Sequence, residues 1–258
     1  MNNTFNIHRF NLLLKRQWLE FGKIFLITLV IAVGIFVAFY GFTLLPLQTI
    51  SEIPYRLRFR EPLYLIFGFL FISIIASAYF AHLGQKSKAI IDLLIPASTL
   101  EKFLAGILFT SILSTLSFTL LFYLTDFAFI GYIKTHFQNS KNVEDFENIK
   151  GFFTQNDFRN FLPFYAMPLV VTSVFMLGSI YFNRFHYIKT SICIMLFGGM
   201  LTYILSKTSD ILFSGKIQTG MGNNHGKDNF EWIALIILLT FSLITWAISY
   251  VRLKEKEV

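Results

Sequence analysis

The chain has 258 residues, of which 55% are hydrophobic, 14% are charged and 32 are Phe, and its mean hydropathy is +0.60. Soluble domains carry about a quarter charged residues, so the composition excludes a soluble globular domain. It also excludes intrinsic disorder, which needs low hydrophobicity, and a disulfide scaffold, because Cys193 has no second cysteine to pair with.

Residues 5–23 are patterned although they precede any long apolar run. Phe10, Leu14, Trp18 and Phe21 share one helical face with Ile7, while Arg9, Arg16, Glu20 and Lys23 cluster opposite. This spacing predicts an amphipathic elbow helix lying in the membrane interface. It either anchors the N-terminus or transmits motion into the first span.

Six stretches without Asp, Glu, Lys or Arg follow, at 24–45, 63–83, 103–125, 161–182, 190–206 and 232–251. A hydrocarbon core of about 30 Å takes about 20 helical residues to cross. The fifth stretch has 17, so it must tilt little, thin the bilayer or borrow flanking residues. Continuous apolar runs in lipid must be helices, because barrel strands would alternate. The expected architecture is therefore all-α, one transmembrane domain over 1–258 with six spans. The first span is too long for a signal-peptide core and is expected to stay in the mature protein. Pro163 and Pro168 predict a kink in the first half of the fourth span.

With six spans both termini share a side. Residues 1–23, 84–102, 183–189 and 252–258 then carry 12 Lys and Arg against 5 Asp and Glu, while 46–62, 126–160 and 207–231 carry 10 of each class. The Lys and Arg excess places both termini in the cytoplasm. The net charge of +7 is then matched by anionic membrane lipid, and no basic nucleic-acid-binding block is present, so no nucleic-acid partner is expected. The 126–160 loop, rich in aromatics, is expected to form short interfacial helices. The 207–231 loop, with Gly215, Gly220, Gly222 and Gly226, reads as flexible turns.

Ionisable groups inside a bilayer are costly and are kept for function. The six stretches hold none except His82 at the inner end of the second, which argues against a proton relay or an intramembrane protease. His8, His82, His136, His186 and His225 have no metal-ligand spacing, and no P-loop occurs. Neither catalysis nor a cofactor is expected in this chain.

The most informative segment is the inner loop 84–102, GQKSKAIIDLLIPASTLEK. Ile90, Ile91 and Leu94 share a face of a short helix, Asp92 interrupts the other, and Pro96 ends it. Ser98 and Glu101 have the spacing of a capping box that starts the third span. Apolar residues displayed at this level need lipid or a protein partner; a plain surface turn is the competing reading.

The segment IIDLLIPASTLEKFLAG resembles the inner loop between spans two and three of permease subunits of exporter-type ABC transporters, the six-helix type-two family, where a pattern like LLxLPxSxxExxxGK recurs. Here Gly106 is followed by Ile107 in place of Lys or Arg. The importer-type EAA loop is missing, which favours export. The resemblance implies that Ile90, Ile91, Asp92, Leu93, Leu94 and Pro96 contact an ABC ATP-binding subunit, with Ser98 and Glu101 holding the loop in position. It further implies a second permease copy or a related permease as dimer partner, ATP and Mg on the separate ATPase chain, and residence in the bacterial cytoplasmic membrane. A non-transporting membrane scaffold or regulatory subunit is the alternative, and a secondary carrier a third.

Overall fold

The computed structural model describes residues 5–44, 53–81, 94–136, 151–154, 162–213 and 224–256, and every regular element among them is helical. Six helical segments are long and apolar enough to cross a membrane: Ile7–Thr43, Leu57–Tyr79, Thr99–His136, Pro163–Tyr181, His186–Thr208 and Glu231–Lys256. These fit an integral multi-pass membrane protein, as the apolar stretches predict. The fifth reaches spanning length by extending past its 17 apolar residues to take in Lys189 and Lys207.

The chain clusters into two compact units. The first comprises Met1–Ala76 and Pro96–Phe161 and the second Ser77–Ile95 and Leu162–Val258.

In the first unit, α1 runs unbroken from Ile7 to Leu44. Residues 7–23, expected as a separate elbow in the membrane interface, continue into the first span as one unbroken helix. No proline or glycine pair interrupts them, and Gly22 is shielded by the Trp18 ring lying over it. Of the elbow residues, Phe21 is buried, Phe10 and Leu14 are half-buried and Trp18 is exposed on one side. Trp18 stacks on Phe109 at 6.2 Å between ring centroids, and Phe21 meets the same ring edge-on. Their face is thus used on the third span.

Helix α2 (Ile53–Arg56) and a 3-10 turn (Leu57–Phe59) lead into α3 (Arg60–Tyr79). The third span is assembled from α4 (Thr99–Ile107), a π-helical segment (Leu108–Leu113) and α5 (Ser114–His136). At the π segment the Thr110 hydroxyl donates to Gly106 O at 2.8 Å, and the Ser114 hydroxyl donates to Thr110 O. Side-chain hydroxyls thereby take up carbonyls that the widened turn displaces.

The middle of this unit is aromatic. Phe36 packs edge-on against Phe118 and Phe122, both at 5.4 Å, and Phe71 joins Phe118 at 5.5 Å. Gly68 makes room for the Phe118 ring: a Cβ there would lie 2.9 Å from its edge. Such ring pairs add roughly 0.5–1.5 kcal/mol each beyond area burial, which gives the unit a stiff centre.

Two boundaries differ from the sequence reading. Helix α5 does not stop at Thr125; it continues to His136, so Asp126, Phe127, Phe129 and Tyr132 belong to the third span and not to short interfacial helices. Nothing between Thr125 and His136 breaks a helix, Gly131 included. Loop 207–231 is likewise shortened from both sides by helix, to 214–223, which lies outside the described residues.

In the second unit, a 3-10 turn (Leu162–Ala166) precedes α6 (Met167–Tyr181), followed by α7 (His186–Phe213) and α8 (Asn224–Lys256). The prolines do not kink a helix here. Pro163 lies in the 3-10 turn and Pro168 in the first turn of α6, where a missing N–H has no partner to lose. Helices α6 and α8 pack through small hydroxylated residues, with Thr245 Oγ1 donating to Ser173 Oγ at 2.8 Å. At the other end of α8, Lys256 Nζ donates to Asn183 Oδ1 at 3.1 Å and the Arg252 guanidinium lies 5.4 Å from the centre of the Tyr181 ring. The connection from α6 to α7 is therefore held against the end of α8.

Gly178 of α6 is met by Thr190 of α7 so closely that a Cβ would fall 1.9 Å from its Oγ1 and 2.8 Å from its Cβ. Because the obstructing atoms are near the Thr190 backbone, relief requires the helices to part. Gly178→Ala is expected to destabilise the protein by about 1–3 kcal/mol, read as a lower midpoint in thermal melts in detergent. Combining it with Thr190→Gly should recover part of the loss.

Candidate functional site

Two buried polar clusters stand at opposite ends of the first unit. The first grows from the start of the third span. Ser98 adopts an extended N-cap conformation (φ −72°, ψ 152°); its Oγ accepts from Glu101 N at 3.2 Å, while Ser98 N donates to Glu101 Oε2 at 2.9 Å. This is the reciprocal capping box that the spacing describes. The Glu101 carboxylate does more than cap its own helix. Its other oxygen accepts Asn6 N at 2.8 Å and Arg9 Nη2 at 3.1 Å, and the residue is wholly buried. Asn6 in turn caps α1, its side-chain oxygen accepting from His8 N at 2.9 Å and its carbonyl from Phe10 N at 2.9 Å. One carboxylate thus ties together the beginnings of α1 and α4.

The loop of interest enters this knot directly. Leu94 is 76% exposed and Pro96 is exposed, four and two residues ahead of the Ser98 cap respectively. Ile90, Ile91, Asp92 and Leu93, with His82, lie outside the described residues.

The second cluster is centred on Asp126, which the sequence reading placed at the start of an outer loop. It is 3% exposed. Its Oδ1 accepts the Tyr40 hydroxyl at 2.7 Å and Arg60 Nη1 at 3.1 Å, and its Oδ2 accepts Phe152 N at 2.8 Å. Arg60, 2% exposed, also donates from Nε to Leu57 O at 3.1 Å, and its guanidinium lies 6.0 Å from the centre of the Phe152 ring. Phe59, Phe122 and Phe129 pack around Tyr40. A carboxylate so fully engaged, with its countercharge in contact, is a fastening and not a free base.

From Glu101 to Asp126 the helix rises about 37 Å at about 1.5 Å per residue, which is close to the thickness of a bilayer with its headgroup regions, about 40–45 Å. The clusters therefore fall near the two faces of the membrane, where buried charges are tolerable and where they fasten the ends of adjacent spans. The expectation of charge-free spans holds for their middles and fails at this end. Asp126 and Arg60 follow and precede apolar runs that end on the same side, and opposite charges so placed are the signal that points to the pair.

Among the described residues no group of three or more His, Cys, Asp or Glu side chains is arranged to hold a metal ion. Comparison with protein-family models, with curated proteins and with solved structures gives no match.

Proposed function

We propose that this chain is the permease subunit of an ATP-driven exporter in the bacterial cytoplasmic membrane, paired with a second permease copy or a related one. Both termini lie in the cytoplasm, as the Lys and Arg bias favours, and the loop ending in Leu94 and Pro96 docks on a separate ATPase subunit that carries ATP and Mg. The observation that supports this reading is the Glu101 knot. A loop that takes up force is useful only if its exit is rigidly joined to the spans, and the single carboxylate joins it to α1 and α4 at once. Downstream, Trp18 and Phe21 on α1 rest on Phe109 in the π segment, a place where one turn can be wound or unwound at low cost.

In this mechanism ATP closes the paired ATPase subunits, the loops follow, and α1 moves with α4 to open a path outward. Purification from native membranes in mild detergent should bring down a stoichiometric P-loop ATPase whose hydrolysis depends on this chain. Leu94→Asp should break that association, since an aspartate pressed into an apolar groove has no counter-ion. An intact complex in Leu94→Asp and Ile91→Asp overturns the docking assignment, and a chain that purifies without an ATPase favours a membrane scaffold.

A further inference from the structure

The third span departs from α geometry at the π-helical segment Leu108–Leu113, between α4 and α5. In a π turn an N–H reaches back five residues and not four, so the segment holds one residue more than a continuous α-helix would place there. Neither end of the span can release that residue while its carboxylate is held. Glu101 is bonded to Asn6 N and Arg9 Nη2, and Asp126 to the Tyr40 hydroxyl and Arg60 Nη1. The extra residue is thus confined between two fixed points of one unit.

Hydroxyls line the helix around it at four-residue spacing. Thr110 Oγ1 donates to Gly106 O, and Ser114 Oγ donates to Thr110 O. Thr115, one residue further, has Ser111 O four residues back, yet its Oγ1 is buried and makes no hydrogen bond. A helical threonine commonly satisfies its hydroxyl on the carbonyl three or four residues earlier, and Thr125 and Thr135 of the same span do so. A buried unpaired hydroxyl is a cost, and at about 21 Å along the helix from Glu101 the bilayer core offers no water to meet it.

We infer that the third span is a two-register helix whose π turn steps one residue toward α5. In the step the widened turn passes from Leu108–Leu113 to 109–114. The next carbonyl, Ser111 O, is displaced in its turn, and Thr115 Oγ1 takes it up as Ser114 Oγ takes up Thr110 O in the register seen here. A residue that the turn passes rotates by about 100° and shifts by about 1.5 Å, while Glu101 and Asp126 keep their partners. On the exporter reading this gives the span a second state beside the contacts of Trp18 and Phe21 with Phe109. The switch itself is measured on the chain alone, without nucleotide or ATPase, so it stands or falls apart from that reading.

The test melts the purified full chain in one detergent and follows hydrogen exchange at 108–115 by mass spectrometry. Ile112 and Leu120 are 52% and 58% exposed, so deleting either side chain removes little packing. Deleting Ile112 should leave a continuous α-helix with both carboxylates in place and a midpoint at or above the parent's. Deleting Leu120 turns Asp126 about 100° away from Arg60, and the midpoint should fall by about 10 °C, as loss of a buried pair requires. Thr115→Val removes a hydroxyl that only the second register uses. It should melt with the parent or above it, and exchange at 108–115 should slow about fivefold, the factor one hydrogen bond sets. In the chain lacking Ile112 the same substitution should leave exchange as it is. If the two deletions melt alike, the π turn holds no spare residue and the switch is overturned. It is overturned equally if Thr115→Val lowers the midpoint, leaves exchange at the parent's rate, or still slows it once Ile112 is deleted.

Discussion

Asp126→Ala is expected to destabilise the protein by about 3–5 kcal/mol, because it removes the carboxylate that faces the buried Arg60 guanidinium. Arg60 is 2% exposed and its Nη1 has Asp126 at 3.1 Å; its Nε contact with Leu57 O does not neutralise the charge. The same substitution frees the Tyr40 hydroxyl and Phe152 N from their acceptor, each worth about 1 kcal/mol. Asp126→Asn should fall between, since one oxygen remains for Tyr40 or Arg60 but the amide nitrogen faces donors. The informative variant removes both charges. Arg60→Met with Asp126→Leu should recover most of the loss, because a buried ion pair exchanged for apolar side chains of similar volume is often neutral. Thermal melts of the purified chain in one detergent compare the set. If Asp126→Ala melts with the parent, the buried pair is not what fastens this end of the unit.

Glu101→Gln is expected to separate two roles held by one carboxylate. Glutamine also serves in a capping box, so its oxygen can keep accepting Ser98 N, and α4 should start where it does now. Its amide nitrogen would then face Asn6 N and Arg9, which are donors, and the tie to α1 at 2.8 Å and 3.1 Å is lost. Stability should fall by about 1–3 kcal/mol, the cost of leaving buried donors unmet, and hydrogen exchange should quicken at residues 6–10 while 99–107 stay protected. Glu101→Ala should expose both segments. On the proposed mechanism, Glu101→Gln should also assemble with the ATPase yet lose transport, a combination that Leu94→Asp cannot produce because it fails earlier. Unchanged exchange at residues 6–10 would sink the idea that Glu101 joins the two helices.

The two clusters and the aromatic centre together hold α1 against the third span. Parallel α1 and the third span are fastened at both ends by buried carboxylates, and between them Phe36, Phe118 and Phe122 interlock. The π segment at Leu108–Leu113 is the local exception, lying next to the Trp18 and Phe21 contacts.

Composition and apolar run length by themselves determined the helical class and the six spans, because a bilayer demands about 20 apolar residues per crossing and internal satisfaction of every backbone group. The Ser98 to Glu101 spacing was equally legible, since a capping box is a contact between residues three apart. Tertiary structure decided what lies beyond that range. Whether residues 7–23 bend away or continue α1 depends on Phe109, more than eighty positions later, offering its ring to Trp18 and Phe21. Whether Asp126 starts a loop or sits buried in a helix depends on Arg60 and Tyr40 arriving from two other spans. A charge at the edge of an apolar run is read as the end of a span unless its counter-ion is known, and the counter-ion is supplied only when the helices assemble.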